Sequence, residues 1–334
     1  MAGRRTVSRD ELEHMLDALR HDIRDPRAGL HGPSSFVWTV DKEAVLFLGG
    51  GRAALLQLAH PYVAHAVEQH SQTRTDPLGR FQRTFENVFA MVFGEFESAV
   101  KSARRVHKVH THIRGTIDED VGIFKKGDTY EANDESSLMW VHATLVDSAL
   151  QTFELVVRPL TIEEKDRYYE ETKKFARLFG ISDRVLPRDW ISFRYYFQRM
   201  LESGEIAVGR PAREIARFLF TPRRASYVPF VRWIEVMTAG LLPESVREGF
   251  GLPWGVLRRA TFRSSIAALH AGHPLLPKAL RHQPAYVAAN RRLAGLEEET
   301  RTSQVMERLT QGLLSQVPLR SLVRIPLTNG GALR

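Results

Sequence analysis

The chain has 334 residues, 43% of them hydrophobic, a formal net charge of +8 at pH 7 and no cysteine. This length suits one large domain or two ordinary ones, and the hydrophobic share is that of a soluble globular protein. Because cysteine is absent, disulfide frameworks, thiolate nucleophiles, cysteine-based zinc sites and iron–sulfur clusters are excluded. A metal or metal cofactor therefore needs other ligands, and the chain offers 13 histidines.

The positive charge permits attraction to nucleic acid, anionic lipid or an acidic substrate without establishing any of them. The basic start of the chain is followed at Ser8–Glu11 by polar residues, where a signal sequence needs an apolar region. The apolar runs are shorter than the roughly 20 residues of a membrane-spanning helix. We therefore expect a cytoplasmic protein with no transmembrane segment, and peripheral membrane contact stays open.

The hydrophobic pattern is helical along most of the chain and shows no run of alternating strands. Two capping boxes, at Ser8 and Thr161, predict helix starts. Residues 25–42 are predicted to form a loop with an extended piece at Phe36–Val40, and residues 115–133 a loop with a small hairpin. In chain order, the predicted helices are 8–24, 43–58 with an interruption at three glycines, 61–70, 76–93, 95–114, 134–157, 161–178, 190–197, 211–220, 227–241, 244–250, 254–271 and 284–308.

The composition does not shift enough anywhere to mark a linker, so we predict one all-α domain of about a dozen helices. We assign residues 1–42 to an N-terminal helix and loop and residues 43–310 to the main helical domain. Residues 311–334, rich in proline and glycine, are predicted to form a loose C-terminal tail.

The three glycines Gly49–Gly51, followed by Arg52, invite a nucleotide-binding interpretation. Neither a GxGxxG nor a GxxxxGK[ST] pattern is present, and no βαβ context surrounds the glycines. Small residues also let another helix, or a flat ligand, approach the backbone closely. The pattern therefore favours a packing cluster over a phosphate loop.

Three histidines and an arginine are closely spaced between residues 107 and 114. On a helix, His107 and His110 share a face, and so do His110 and Arg114. Imidazole is a common metal ligand and the usual axial ligand of haem iron, and a nearby arginine suits a carboxylate such as a haem propionate. From spacing alone, a solvated basic helix face is the favoured interpretation. A non-haem metal site on His107, His110 and His112 requires the helix to end there, because His112 lies about 200° from His110 on an ideal helix.

Arg80, Arg83 and Thr84 share one face of a predicted helix, an arrangement that suits an anionic ligand or a polarised oxygen species. An ordinary surface arginine pair is the favoured alternative. His60 and His142 lie in apolar surroundings, where a single histidine is more often a satisfied core residue than a ligand. The aromatic segment 190–197 is predicted to line a cleft or to pack its helix into the core, and the second interpretation is favoured.

Taken together and in this order, these motifs resemble the haem-dependent oxygenase family of latex clearing protein. The family includes the fungal oxygenase that cleaves the farnesyl chain of a mycophenolic acid precursor. The resemblance covers roughly residues 40–270, and the motifs that carry it are Gly49–Arg52, Leu58–Pro61, Asp76-Pro77, Arg80 with Arg83-Thr84, Phe93-Gly94, His110-x-x-x-Arg114-Gly115, Tyr130-x-Ala132-x-Asp134 and Trp140–His142.

The resemblance implies a globin-like, all-α domain over residues 43–310 that binds one haem b, with His110 as the axial iron ligand. It also implies that Arg114 and Arg52 contact the cofactor.

The resemblance places O2 on the side of the haem opposite His110. There Arg80 and Thr84 match the family's Arg-x-x-Lys-Thr pattern, whereas Arg83 stands in place of the lysine. Arginine does not lose its proton and cannot ligate iron as a lysine amine can. We therefore expect a five-coordinate or water-ligated iron. Glu68 is the nearest candidate for the acidic residue that rubber-cleaving members use.

The function implied by the resemblance is that of a haem-b-dependent oxygenase that uses O2 on a hydrophobic small molecule, with isoprenoids as candidates. Arg80, Arg83 and Thr84 would be its catalytic residues. One alternative is a non-catalytic haem-binding or sensor protein on the same fold. Another is a helical nucleic-acid-binding protein, which the positive charge suggests but no helix-turn-helix signature supports; the oxygenase interpretation expects no nucleic-acid partner.

Overall fold

The computed structural model describes residues 5–70, 87–222 and 225–296, and helices dominate it. The prediction of an all-α chain is confirmed. The α-helices that lie wholly within the described residues are α1 (Arg9–Asp22), α2 (Phe36–Asp41), α3 (Leu48–Leu58), α4 (Pro61–His70), α5 (Phe96–His110), α6 (Glu135–Val156), α7 (Ile162–Arg177), α8 (Trp190–Glu202), α9 (Arg210–Leu219), α10 (Val228–Leu241), α11 (Glu244–Gly249), α12 (Val256–Gly272), α13 (Lys278–Arg281) and α14 (Pro284–Leu293). Residues 87–93 are also helical.

A single small hairpin interrupts the helices of the described part of the chain. Its strands β1 (Arg114–Thr116) and β2 (Thr129–Glu131) are antiparallel, with Gly115 opposite Tyr130. The hairpin predicted for this loop is therefore present, and it lies directly after the histidine-rich helix α5.

Side-chain caps fix where several helices begin. The Ser8 and Thr161 hydroxyls each accept a backbone N–H from the third residue of α1 and α7, and the glutamates at those positions complete both capping boxes. Asp134 caps α6 by accepting the N–H of Ser137 at 2.8 Å. These caps satisfy N–H groups that the first helical turn leaves without partners.

Several predicted elements differ in the structure, and two of them are residues 36–40 and the last helix. Residues 36–40, predicted to be extended, form most of α2, whose N-cap Ser35 accepts the N–H of Trp38. Four of those five side chains are buried, so packing overrides the strand preference of the β-branched residues. The last predicted helix ends at Leu293, and Gly295 follows with a positive φ of 72°; its predicted extension beyond residue 296 lies outside the described residues.

The helix α3 passes through the three glycines without interruption and packs between α6 and α10. A Cβ on Gly49 would lie 2.5 Å from Thr152 Oγ1 of α6, and one on Gly51 would lie 2.2 Å from Thr238 Oγ1 of α10. Both approaches are closer than real side chains make, so these glycines permit the helix crossing. The packing interpretation of the glycine cluster is confirmed.

One large apolar core joins helices from both ends of the described chain, and it includes the inward face of α1, Leu12, Leu16 and Leu19. Within the described residues, no helix combines the length and the apolar character needed to cross a membrane.

Candidate active site

A cavity of about 350 Å³ lies between α3, α4, α5, α6 and the hairpin, a size typical of small-molecule and cofactor sites. Its walls are mostly aliphatic, with Leu58, Val63 and Leu138 among them. The polar side chains that line it are those of Gln57, Tyr62, Asn87, His110, Tyr130, Glu131, Ser137 and His142. Two of the histidines singled out in the sequence therefore meet at one cavity.

His110 lines this large cavity from the last position of α5. The helix ends there because the next turn tightens, with Ile113 N–H donating to the His110 carbonyl at 3.0 Å before β1 begins. The predicted continuation of the helix to Arg114 is wrong, so His110 and Arg114 do not share a helix face. Arg114 is exposed on β1 and does not line the cavity itself.

The other two histidines of the cluster have different surroundings. His107 is buried, and its Nε2 lies 2.9 Å from the Val7 carbonyl, to which it donates. His112 is exposed, with its Nδ1 2.9 Å from the Lys108 carbonyl. The three imidazoles do not converge on one point, which removes the support for a non-haem metal site on them.

Within the described residues, one group of potential metal ligands does come together: His65, Asp118 and Glu119. Arg210 already contacts both carboxylates, with Nη2 2.5 Å from Asp118 Oδ2 and its backbone N–H donating to Glu119 Oε1 at 2.8 Å. Arg210 also pairs with Glu68 at 3.1 Å. Glu68, the candidate acid in the sequence, therefore faces this surface network and does not line the large cavity.

Arg52 lies away from the large cavity in a buried network between α3, α6 and α10. Its guanidinium contacts Asp147 Oδ2 at 2.5 Å, Ser148 Oγ at 2.7 Å and the Leu241 carbonyl at 2.9 Å. Its guanidinium carbon also lies 5.7 Å from the centre of the Phe197 ring. All three guanidinium nitrogens have partners within the protein, so this arginine holds helices together in the described structure.

Arg80, Arg83 and Thr84, predicted to line the oxygen side of a haem site, lie outside the described residues. The aromatic segment of α8 is within them, and Trp190, Phe193 and Phe197 are buried. None of these three rings lines the large cavity. The simpler interpretation of that segment, a helix buried by its own aromatic residues, fits their positions.

His142 lines the large cavity, whereas the sequence favoured a satisfied core residue at this position. Its side chain is 3% exposed, and neither ring nitrogen has a hydrogen-bond partner among the described residues. Burial lowers its pKa to about 4, so the ring is neutral at pH 7. The sequence shows only an apolar neighbourhood, which a satisfied core histidine shares; the signal that could have found it is its place in the motif Trp140–His142.

A smaller cavity of about 70 Å³ adjoins the large one, and the two share Ala53, Val88, His142, Leu145 and Phe175 as walls. The small cavity is also lined by His31, Asp41 and Tyr168. The Tyr168 hydroxyl donates to Asp41 Oδ1 at 2.8 Å, and burial raises the pKa of Asp41 to about 7.

Comparison with known proteins places this architecture in a family. Residues 37–271 match the model of a family described as "ER-bound oxygenase mpaB/B'/Rubber oxygenase, catalytic domain". The chain is also similar to two mycobacterial proteins, the Uncharacterized protein Mb2261 of Mycobacterium bovis and the Uncharacterized protein Rv2237 of Mycobacterium tuberculosis. Each is 24% identical over 233 residues, which cover 67% of this chain and 87% of the relative.

No solved structure matches the chain. The family model spans more than half of the chain, from α2 to α12, and includes every wall of the large cavity. The chain therefore belongs to the family of the mpaB and rubber oxygenase catalytic domains, and it is an oxygenase-type enzyme domain.

Proposed function

We propose that the protein is a haem-b-dependent oxygenase that uses O2 on a hydrophobic small molecule. The observation that carries the proposal is the large cavity of about 350 Å³, which presents the His110 imidazole within a mostly aliphatic wall. The family supports the oxygenase reaction class. Isoprenoids are the substrate candidates that the resemblance to the rubber oxygenases suggests.

The side chains around the large cavity fit a haem. Without cysteine in the chain, histidine is the most suitable axial ligand, and His110 is half-buried with its side chain on the cavity wall. Leu58, Val63 and Leu138 provide the apolar contacts that a porphyrin ring needs. Haem, when bound, supplies the binding and reduction of O2; the protein supplies the ligand, the orientation and a dry environment.

Arg114 is the cation that we propose for the carboxylates of the cofactor. It lies opposite Glu131 in the hairpin, and Glu131 lines the large cavity. Its exposed guanidinium is therefore available near the edge of that cavity, where a propionate can meet both the cation and solvent. Arg52 is not included, because its guanidinium is engaged by Asp147, Ser148 and Leu241.

The proposed catalytic residues remain Arg80, Arg83 and Thr84, on the basis of the family pattern. Their side chains offer two permanent cations and a hydroxyl donor, which stabilise negative charge as it develops on oxygen. The aliphatic walls of the large cavity favour an apolar substrate, because burial of apolar surface contributes about 25 cal/mol per Å².

The absorption spectrum of the purified protein, before and after addition of haemin, tests the cofactor. We expect a Soret band that is lost in His110→Ala and retained in His112→Ala, whose imidazole is exposed two residues away. Far-UV circular dichroism checks that both variants are folded. A folded wild-type protein that stays colourless with haemin would overturn the proposal.

Addition of O2 to the reduced, haem-loaded protein separates an oxygenase from a sensor on the same fold. We expect O2 consumption with cleavage or oxygenation of apolar alkenes, detected by mass spectrometry with labelled O2. A stable oxygen complex that leaves a panel of apolar alkenes unchanged would favour the sensor.

A further inference from the structure

We propose that the small cavity contains a water-mediated proton path that connects Asp41 to His142 in the wall of the large cavity. The inference deepens the proposed function, on which it rests, by giving the large cavity an acid–base residue. The observations that support it are the two adjoining cavities and the polar side chains of His31, Asp41, His142 and Tyr168.

The first observation is that two buried imidazoles at the small cavity need partners. Neither ring nitrogen of His31 or of His142 has a hydrogen-bond partner within the described residues. A buried polar group without a partner destabilises the folded state, so such groups in folded proteins are normally paired with protein or water. The cavity, at about 70 Å³, is large enough for water and also presents Asp41 and Tyr168. Water that bridges these groups satisfies both imidazoles.

The second observation is the position of His142 between the two cavities. It lines both of them, with Phe175 and Leu145 as apolar neighbours in the same wall. A neutral imidazole accepts a proton at one ring nitrogen and releases one from the other. His142 can therefore exchange protons with water on one side and with a ligand of the large cavity on the other.

The third observation is a proton donor in the same cavity. Asp41 lies at the end of α2, and burial raises its pKa to about 7, although the hydrogen bond from Tyr168 opposes that rise. A substantial fraction of Asp41 is therefore protonated near neutral pH. The other titratable groups that face the cavity are His31, from the loop before α2, and Tyr168, from α7, and the charge of Lys174 acts on His31.

The path conserves protons at each step. Asp41 releases a proton to an intervening water, and that water passes a proton to one ring nitrogen of His142. The other ring nitrogen of His142 then releases a proton into the large cavity. Asp41 regains a proton when the same steps run in reverse. On this path His142 is the catalytic acid–base residue, and Asp41 acts through it.

Deuterium exchange at the C2 hydrogen of each histidine, followed by mass spectrometry across pH, tests the path in the full-length protein. This exchange requires water at the ring and proceeds by attack of hydroxide on the protonated ring, so its alkaline plateau rises with the histidine pKa. We expect His142 to exchange measurably in the native protein. We also expect Asp41→Asn to slow the alkaline plateau at His142 about tenfold, equivalent to about one pKa unit of coupling between the two groups.

Glu43→Gln is the matched control. Glu43 is also a buried carboxylate next to α2, but it pairs with His273 at 3.0 Å and does not line the small cavity. The His142 plateau should therefore keep its wild-type value in this variant. If Asp41→Asn and Glu43→Gln change the alkaline plateau at His142 equally, the proposal is overturned. It is also overturned if His142 exchanges only through global unfolding.

A high-resolution crystal structure of the wild-type protein tests the same path without any substitution. We expect ordered water within hydrogen-bond distance of His142 and Asp41, and a dry small cavity would overturn the path. Both experiments can be done without haem, so their outcome is independent of the Soret test. A colourless protein with exchange coupled to Asp41 would overturn the haem proposal while the proton path remains supported.

Discussion

Arg52 shows how a side chain in a family motif can have a structural role that spacing does not reveal. Its guanidinium is buried and contacts Asp147, Ser148 and Leu241, which lie 95 or more residues further along the chain. The sequence predicted this arginine as a cofactor ligand because it follows three glycines and belongs to the motif order. Its buried carboxylate partner could not be predicted, since no local pattern connects α3 to α6.

We expect Arg52→Ala to lower the free energy of unfolding by about 3–5 kcal/mol, because it breaks a buried ion pair and leaves buried polar groups without their donor. Urea denaturation measures the loss. Arg194→Ala is the matched control: Arg194 contacts the same Asp147, but its side chain is 48% exposed, and its loss should cost about 1 kcal/mol or less. If Arg52→Ala keeps wild-type stability but no longer binds haemin, the structural role is wrong and the cofactor role is right.

His142 makes a second residue-scale prediction, on the dependence of stability on pH. In the unfolded chain a histidine binds its proton with a pKa near 6.5, whereas in the folded protein burial lowers the pKa of His142 to about 4. Between pH 6.5 and 4 the unfolded state therefore binds a proton that the folded state does not. This contribution to stability is fully present above pH 6.5 and is lost as the pH falls toward 4.

We expect His142→Gln to remove that loss, which amounts to about 1.4 kcal/mol per pH unit over this window. Urea denaturation at a series of pH values from 4 to 7 measures the difference in slope between variant and wild type. Phe175→Leu changes the same wall without a titratable group and should keep the wild-type slope. An unchanged slope in His142→Gln would show that the folded state accommodates the protonated ring.

At the scale of elements, the helices predicted best are those with local start signals. The capping boxes at Ser8 and Thr161 and the cap at Asp134 each place a helix start within one residue, because the cap acts on backbone groups three positions away. The prediction of an extended piece at residues 36–40 was wrong for the opposite reason. Their β-branched side chains favour a strand, and only packing against distant helices makes them helical.

The residues of the candidate site were also predictable where a local motif marks them and not where distant contacts decide. The order of the motifs led to His110, which does line the cavity, although the helix that carries it ends four residues earlier than predicted. His142 was interpreted as core because its neighbours in sequence are apolar. The two cavities that His142 faces are formed by several helices. The distances between those helices depend on tertiary packing, which a single sequence does not show.

The crossing of α3 and α10 gives an element-scale prediction. Alanine normally stabilises a helix interior by about 1 kcal/mol relative to glycine. At Gly51 we expect the reverse, a loss of about 1–3 kcal/mol, because the new Cβ would lie 2.2 Å from Thr238 Oγ1 and force the helices apart. Thermal or urea denaturation measures the change.

Thr238→Ala, combined with Gly51→Ala, is the matched control for that crossing. Removal of the Thr238 hydroxyl and methyl groups takes away the closest atoms that the new Cβ meets, so the double variant should recover part of the stability relative to the sum of the two single variants. Strictly additive losses would mean that the two helices are not in contact at this point.

At the scale of the whole molecule, part of the positive charge of the described residues lies in ion pairs between different helices. Several arginines of the described chain pair with carboxylates on other elements, among them Arg104 with Glu13 at 2.6 Å and Arg20 with Glu97 at 3.2 Å. These two pairs connect α1 to α5. Some of the arginines behind the net charge of +8 thus have carboxylate partners within the protein. The net charge is therefore weak evidence for nucleic-acid binding.

The same helix, α1, lies before the region matched by the family model, which begins at residue 37. The sequence assigned residues 1–42 to an N-terminal helix and loop of one all-α domain. Leu12, Leu16 and Leu19 of α1 belong to the large core that also contains residues of α6 and α7. We therefore infer that α1 unfolds together with the oxygenase domain and stabilises it as a whole.

We expect Leu16→Ala to lower the global free energy of unfolding by about 2–5 kcal/mol, since Leu16 is fully buried and its truncation leaves a cavity. Urea denaturation should show one transition by far-UV circular dichroism and by tryptophan fluorescence, shifted equally for both probes. His14→Ala, on the exposed face of the same helix, is the control and should change the midpoint little. Fluorescence reports all five tryptophans, Trp38 and Trp140 in the core among them. If it keeps its wild-type midpoint while part of the helical signal melts early, α1 is an independent unit.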